Sequence, residues 1–155
     1  MEFFKFLILF FIFSRSFNLY SQKPSVFDNI FESKNYIIVL NLSNSYSKYK
    51  TKFEKYIENP KREQIKKSEI TEIENLINNT NSKLDEIYSS LSRNDVKSQI
   101  YQIKFELDEL SKLLEESKKK ISKKEEFKKL SYKIEYYLYR MDVYLKGLSQ
   151  NLSLL

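Results

Sequence analysis

The residues that could perform acid–base or metal chemistry in this chain are carboxylates, and they occur in two short runs. The runs consist of Glu69, Glu72 and Glu74, and of Glu106, Asp108 and Glu109. Paired carboxylates hydrolyse glycosides when they face each other across a cleft. Inward-facing glutamates in helical bundles bind metal ions together with histidine. Because most of these acids lie off the apolar positions described below, we expect them on solvated faces and predict no active site.

Several residue types that active sites commonly use are missing or nearly missing. The chain has no histidine and no cysteine, which excludes Ser-His-Asp and Cys-His catalysis, histidine–cysteine zinc sites and disulfide bonds. Its one glycine is Gly147, so neither a glycine-rich phosphate loop nor a dinucleotide-binding fingerprint is present. We therefore expect a protein that is not an enzyme and that uses no cofactor and no metal.

Positive charge is concentrated in two segments of the chain. Residues 48–67 contain eight basic and three acidic residues, and residues 118–129 contain seven and two. A high lysine content alone is typical of an AT-rich genome, so the placement of the lysines is the stronger observation. The fifteen basic residues are Lys48, Lys50, Lys52, Lys55, Lys61, Arg62, Lys66, Lys67, Lys118, Lys119, Lys120, Lys123, Lys124, Lys128 and Lys129.

The elements that would position these charges are helices. Apolar residues recur at alternating intervals of three and four, which is typical of helices that pack along a seam. The chain has only two prolines and one glycine, so it lacks the residues that usually build β-turns. A continuous apolar run over residues 35–42 is compatible with a buried strand, but no second strand is evident, and we favour a helix there. The predicted helices cover about 25–58, 60–92, 95–121 and 123–150.

The starts of these helices are marked by capping residues and by changes in the phase of the apolar stripe. Ser25 with Asp28, Asn59 with Pro60, and Ser122 with Glu125 are helix start signals. The stripe changes phase near Asn94 and again near Ser122, and we interpret each change as a hairpin bend.

These features predict an all-α fold: an elongated antiparallel, up-down-up-down four-helix bundle with coiled-coil-like packing. One domain would cover residues 22–155. In this topology the first and third connections meet at one end, which brings residues 48–67 and 118–129 together. We call the fifteen basic residues of these segments the lysine-rich pole. The two segments carry a net charge of about +10, and the rest of the domain would then be net negative.

Tyrosine forms a second pattern on the last predicted helix. Tyr132, Tyr136, Tyr139 and Val143 lie on one side of that helix, offset from its apolar seam. We call these four residues the tyrosine stripe. Tyrosine is enriched at protein interfaces, so the stripe predicts an interface with a protein partner or with a second copy of the chain. The alternative is that the rings fill a thick seam between the first and third helices.

The N-terminal residues resemble a secretory signal peptide. An apolar core over residues 6–13 lies between Lys5 and Arg15, which is too short to span a membrane. Small and aliphatic residues near Ser21 place cleavage there, so we predict a signal peptide over residues 1–21 and an exported protein, periplasmic or secreted. The alternative is an uncleaved N-terminal membrane anchor.

One stretch of the sequence resembles a known family. "YIIVLNLSNSYSKY", residues 36–49, is similar to the first strand and following helix of the Skp/OmpH periplasmic chaperones. Those proteins are small, basic, exported and helical, and they hold unfolded outer-membrane clients. This chain departs from that pattern because no closing strands follow its long helices.

The sequence therefore supports two functional hypotheses. The first is an exported non-enzymatic envelope protein whose lysine-rich pole binds a protein partner, an anionic membrane surface or an acidic envelope polymer. The second is a Skp-like holdase for unfolded clients. Nucleic acid is not an expected partner, because exported proteins rarely meet it.

Overall fold

The computed structural model describes the backbone of residues 26–153 and the side chains of residues 34–153. Over those residues the chain forms four helices and no strand, which confirms the all-α prediction. The segment 35–42 is helical, as favoured above. The predicted signal peptide and the start signal at Ser25 lie outside the described residues. The helices are α1 (Val26–Glu58), α2 (Lys67–Ser90), α3 (Asn94–Lys120) and α4 (Lys124–Ser153).

The chain divides into two units, Met1–Phe31 and Glu32–Leu155. Of the first unit, only the backbone of residues 26–31 is described, and it forms the start of α1. The second unit contains the rest of α1 and the other three helices. Every contact discussed below lies within this second unit.

Buried apolar side chains from all four helices form one core cluster. The intervals of three and four predict seam positions from Ile70 to Leu91, and all of them are buried. On α4 the same intervals predict Tyr137 and Tyr144 as seam positions. There the next residues, Leu138 and Leu145, are fully buried instead, and the two tyrosines are only partly buried. Leucine has no polar atom to satisfy, whereas a tyrosine can keep its hydroxyl at the edge of the core.

Contacts between neighbouring helices pair residues in opposite chain order. As the residue number rises on one helix, the number of its partner falls on the next. These contacts fit a four-helix bundle in which α1 packs against α2 and α4, and α3 packs against α2 and α4. Tyr46–Thr80 and Lys52–Glu69 join α1 to α2, and Tyr88–Tyr101 and Glu74–Lys118 join α2 to α3. Gln99–Asn151 and Glu106–Arg140 join α3 to α4, and Ser43–Asp142 and Tyr56–Phe127 join α1 to α4.

The helices are interrupted at both positions where the apolar stripe changes phase. Three residues separate α2 from α3, and three residues separate α3 from α4. At the second bend the amide of Lys123 donates to the carbonyl of Lys120 at 2.8 Å, and the amide of Phe127 donates to the carbonyl of Lys123 at 2.9 Å. The hydroxyl of Ser122 makes no hydrogen bond among the described residues, so the capping box predicted there is wrong.

The predicted start of α2 at Pro60 is also wrong. The carbonyl of Asn59 accepts the amides of Arg62 and Glu63 at 3.1 and 3.0 Å, which closes a single turn. The helix begins only at Lys67. There the carboxylate of Glu69 accepts the backbone amide of Lys66 at 2.7 Å and satisfies one of the free donors at the helix start. Residues 59–66 therefore form a connecting loop with three basic side chains.

Candidate functional site

Three residues of the lysine-rich pole, Lys61, Lys124 and Lys128, line a pocket of about 510 Å³. Residues from both predicted segments line it, because the loop after α1 lies beside the bend between α3 and α4. At its base the rings of Tyr56 and Phe127 meet edge to face, with centroids 5.5 Å apart. The lining residues are Tyr56, Pro60, Lys61, Glu63, Gln64, Ile65, Ile121, Lys124, Glu125, Phe127 and Lys128.

The lining of this pocket combines apolar and charged groups. Tyr56, Ile65 and Phe127 are buried and belong to the core cluster, and the half-buried Ile121 packs against it. Burial raises the pKa of the Tyr56 phenol, and the negative charge of Glu125 adds to the effect. The phenol therefore stays neutral at physiological pH. The pocket has an apolar base and a charged rim of three lysines and two glutamates.

Five of the fifteen basic residues in the pole form ion pairs. Most of these pairs are partly exposed, so each contributes about 0–1 kcal/mol. A hydrogen bond to Glu116 raises the pKa of Lys120, and Lys123 lowers the pKa of Glu126. The pairs are Lys50–Glu54, Lys52–Glu69, Lys118–Glu74, Lys120 with Glu116 and Glu126, and Lys123–Glu126.

The other basic residues of the pole have no carboxylate partner among the described residues. Lys48 lies over the ring of Tyr49, with its nitrogen 5.9 Å from the ring centroid. The remaining nine are exposed, apart from the half-buried Lys128. They supply positive charge that takes part in no ion pair within the described part of the chain. They are Lys55, Lys61, Arg62, Lys66, Lys67, Lys119, Lys124, Lys128 and Lys129.

Glutamates from outside the two segments reduce the charge of the pole. Glu69 and Glu74 on α2 pair with Lys52 and Lys118, and Glu116 on α3 pairs with Lys120. The carboxylate of Glu72 accepts a hydrogen bond from the Tyr49 hydroxyl at 2.8 Å. Burial is the main cause that raises the pKa of Tyr49 to about 12, and this hydrogen bond is the second cause. With these four carboxylates the net charge falls from about +10 to about +6, and the rest of residues 22–155 is near neutral, not clearly negative as predicted.

The two carboxylate runs are dispersed among different partners. Asp108 is exposed, and Glu109 pairs with Lys112. Glu106 is the exception to the predicted solvated faces, because it is 5 % exposed and pairs with Arg140 on α4. Among the described residues, no group of three or more acidic side chains is arranged to hold a metal ion.

The tyrosine stripe lies on the outward side of α4. Tyr132, Tyr136, Tyr139 and Val143 are 52 %, 50 %, 49 % and 43 % exposed. The alternative prediction, in which these rings fill a seam inside the bundle, is therefore wrong. Lys50 and Arg140 flank the stripe, with the charged group of each 5.7 and 5.4 Å from the centroids of Tyr139 and Tyr136.

Two further exposed rings were not assigned a role from the sequence. Tyr101 and Phe105 lie four residues apart on α3 and are 63 % and 64 % exposed. The sequence does indicate their exposure, because both residues fall between the seam positions of α3. Tyr101 contacts Tyr88 of α2 through its hydroxyl at 3.1 Å.

Between residues 26 and 153, no helix combines the length and the apolar character that crossing a membrane requires. The chain matches no family model, and neither the curated proteins nor the solved structures gave a significant match.

Proposed function

We propose that the protein is a non-enzymatic helical bundle that binds an anionic surface through the lysine-rich pole. One observation supports this proposal above the others. Basic residues from two distant segments line a single pocket, and nine of those in the pole make neither an ion pair nor a ring contact within the described chain. Like charges held close together repel one another, and a surface of opposite charge relieves that repulsion.

The topology that brings the segments together is, we infer, the antiparallel up-down-up-down arrangement with coiled-coil-like packing. The opposite chain order of every helix-to-helix pair supports it, as do the three-residue connections after α2 and α3. In this arrangement α1 and α3 end at the pole, and α2 and α4 begin there.

The nine unpaired basic residues are sufficient for measurable binding. A lysine near an anionic membrane contributes on the order of 1 kcal/mol. If only a third of these residues reach the surface together, binding gains about 3 kcal/mol. The attraction weakens with salt, because the screening length is about 8 Å at physiological ionic strength.

We propose that this binding takes place outside the cytoplasm, after cleavage near Ser21. The support is the short apolar core between Lys5 and Arg15. If the leader instead remains as an anchor, it would tether the protein to a membrane. N-terminal sequencing of the protein from its native host distinguishes the two cases.

Reversing four unpaired charges of the pole should weaken membrane binding about a hundredfold. The variant is Lys66→Glu, Lys67→Glu, Lys119→Glu and Lys129→Glu, none of which lines the pocket or forms an ion pair. Residues 22–155 would be sedimented with vesicles of seven parts phosphatidylcholine to three parts phosphatidylglycerol in 50 mM salt. We expect wild-type binding to disappear in 500 mM salt and on vesicles of phosphatidylcholine alone.

The control variant carries Lys34→Glu, Lys97→Glu and Lys133→Glu, which reverse basic residues outside the pole. It should bind within about threefold of the wild type. The proposal is wrong if the wild type does not sediment with anionic vesicles in low salt, or if both variants lose binding equally.

A second candidate function is self-association through the tyrosine stripe. Four large side chains on the outward face of α4 are each close to half exposed, and tyrosine combines a large apolar ring with a hydroxyl that tolerates water at the rim of an interface. We propose a second copy of the chain as the partner, in contact along α4.

Light scattering after size exclusion should detect a dimer of residues 22–155 that dissociates on dilution. Tyr136→Glu with Tyr139→Glu should give a monomer at all concentrations. Tyr101→Glu with Phe105→Glu, which changes equally exposed rings on α3, should leave the dimer intact. A wild type that stays monomeric at 100 µM would contradict self-association.

The holdase hypothesis stays a prediction. The stretch that resembles the first strand and following helix of the Skp/OmpH chaperones, residues 36–49, is helical throughout. Suppression of the aggregation of an unfolded outer-membrane protein by residues 22–155, in the absence of lipid, would favour this function over surface binding.

A further inference from the structure

The pocket within the lysine-rich pole is large enough to hold a small-molecule ligand. Its volume of about 510 Å³ lies within the range that small-molecule sites occupy, which is about 300–1,000 Å³. A free phosphate ion is much smaller than this space. The pocket therefore has room for an anionic group together with an attached apolar portion.

The apolar and the charged residues occupy different parts of the pocket lining. Tyr56, Ile65, Ile121 and Phe127 form the apolar part of the lining at the base, where the rings of Tyr56 and Phe127 pack edge to face. Lys61, Lys124 and Lys128 stand at the rim. Since no carboxylate of the described chain pairs with these three lysines, their positive charge is available to a ligand.

The charge of the rim indicates which anion fits. Glu63 and Glu125 also line the pocket, so its net charge is about +1. This value matches the single negative charge of a phosphodiester. Lysine binds phosphate as a point charge, and three lysines around one opening can serve the several oxygens of such a group.

We propose that this pocket binds one phospholipid molecule by its phosphodiester headgroup, with the glycerol and the first carbons of an acyl chain against Tyr56, Ile65, Ile121 and Phe127. The inference rests on the proposed function and deepens it, because it assigns the pole a specific lipid site in addition to general attraction. The headgroup can come from a membrane or from a free lysophospholipid, and the two sources present the same chemistry.

The test uses calorimetric titration of residues 22–155 with soluble short-chain lipids below their micelle concentration. Dihexanoyl phosphatidylglycerol should bind at one site per chain. Glycerophosphoglycerol, which keeps the phosphodiester but lacks the acyl chains, and hexanoate, which lacks the phosphodiester, should each bind at least tenfold more weakly. Equal binding of glycerophosphoglycerol would overturn the proposal, because the apolar base would then contribute nothing.

Matched variants separate the pocket from the rest of the pole. Lys61→Gln with Lys128→Gln should weaken short-chain lipid binding at least tenfold, and Ile121→Gln should weaken it severalfold while circular dichroism shows an unchanged helix content. Lys66→Gln with Lys67→Gln removes the same charge from the pole outside the pocket and should change binding less than twofold. Equal losses in the two double variants would overturn the site.

The vesicle experiment distinguishes this inference from the proposed function. Wild-type sedimentation with anionic vesicles, combined with no binding of the soluble lipid, would refute the pocket and leave the surface function in place. Binding of the soluble lipid without any sedimentation in low salt would support the pocket as a carrier site for free lysophospholipid and refute the surface function.

Discussion

Replacing Phe53 by alanine is expected to lower the free energy of unfolding by about 3–5 kcal/mol, the usual cost of removing a buried phenylalanine. Phe53 lies on α1, is 1 % exposed and is among the largest fully buried side chains of the core. Its removal leaves a cavity that the surrounding helices can only partly fill. The folded-to-unfolded ratio should fall by a factor of at least one hundred, because 1.4 kcal/mol corresponds to a factor of ten.

Phe105→Ala is the matched control for this change. It removes the same atoms from a ring that is 64 % exposed on α3, and surface substitutions of this kind usually stay within about 0.5 kcal/mol. Urea unfolding of both variants, followed by circular dichroism at pH 7, should give a lower midpoint only for Phe53→Ala, with an unchanged slope. Similar midpoints for the two variants would mean that Phe53 is not in the core.

The contrast between these two phenylalanines shows what the sequence could predict about the fold. Phe53 follows Tyr49 by four residues and precedes Tyr56 by three, so these intervals predict it on the seam of α1. Phe105 falls between the seam positions Ile103 and Leu107 of α3. The same periodicity located both three-residue bends, because a helix cannot change the phase of its apolar stripe without ending. Periodicity is a local property, and it was sufficient for the number of helices and for most of the core.

The start of α2 could not be read in this way. Asn59 and Pro60 form a valid start signal, but the same residues also begin an isolated turn. The outcome depends on Glu69, whose carboxylate accepts the amide of Lys66 and also pairs with Lys52 on α1. That second contact joins two helices, and no capping rule for a single helix includes it.

The charge of the candidate site was overestimated for a related reason. Counting charges along residues 48–67 and 118–129 includes only the carboxylates within those segments. Glu69, Glu74 and Glu116 approach from outside both of them. The convergence of the segments could be deduced from topology, whereas the identity of the unpaired lysines depends on which side chains meet across the helix interfaces.

The clearest failure of sequence reasoning is Glu106, which leads to the second large effect. A glutamate beside Asp108 and Glu109 resembles part of a solvated acidic run. In the bundle it is 5 % exposed, and its one charged partner among the described residues is Arg140 of α4. The Arg140 guanidinium also donates to the hydroxyl of Tyr136 at 3.0 Å, so it links the buried carboxylate to the tyrosine stripe.

Arg140→Met should lower the free energy of unfolding by about 3 kcal/mol, the low end of the cost of leaving a buried charge without its partner. The low end applies because the Arg140 side chain is itself 27 % exposed. Glu106→Leu alone should cost only about 1 kcal/mol, because the freed guanidinium can turn to solvent, and its hydrogen bonds to hydroxyls remain available. The double variant should recover most of the loss, since buried ion pairs are often replaced by apolar side chains at little cost. Urea unfolding of all four proteins measures the coupling between the two sites. Additive effects would mean that Glu106 does not depend on Arg140, and the ion pair would then have no part in holding α3 against α4.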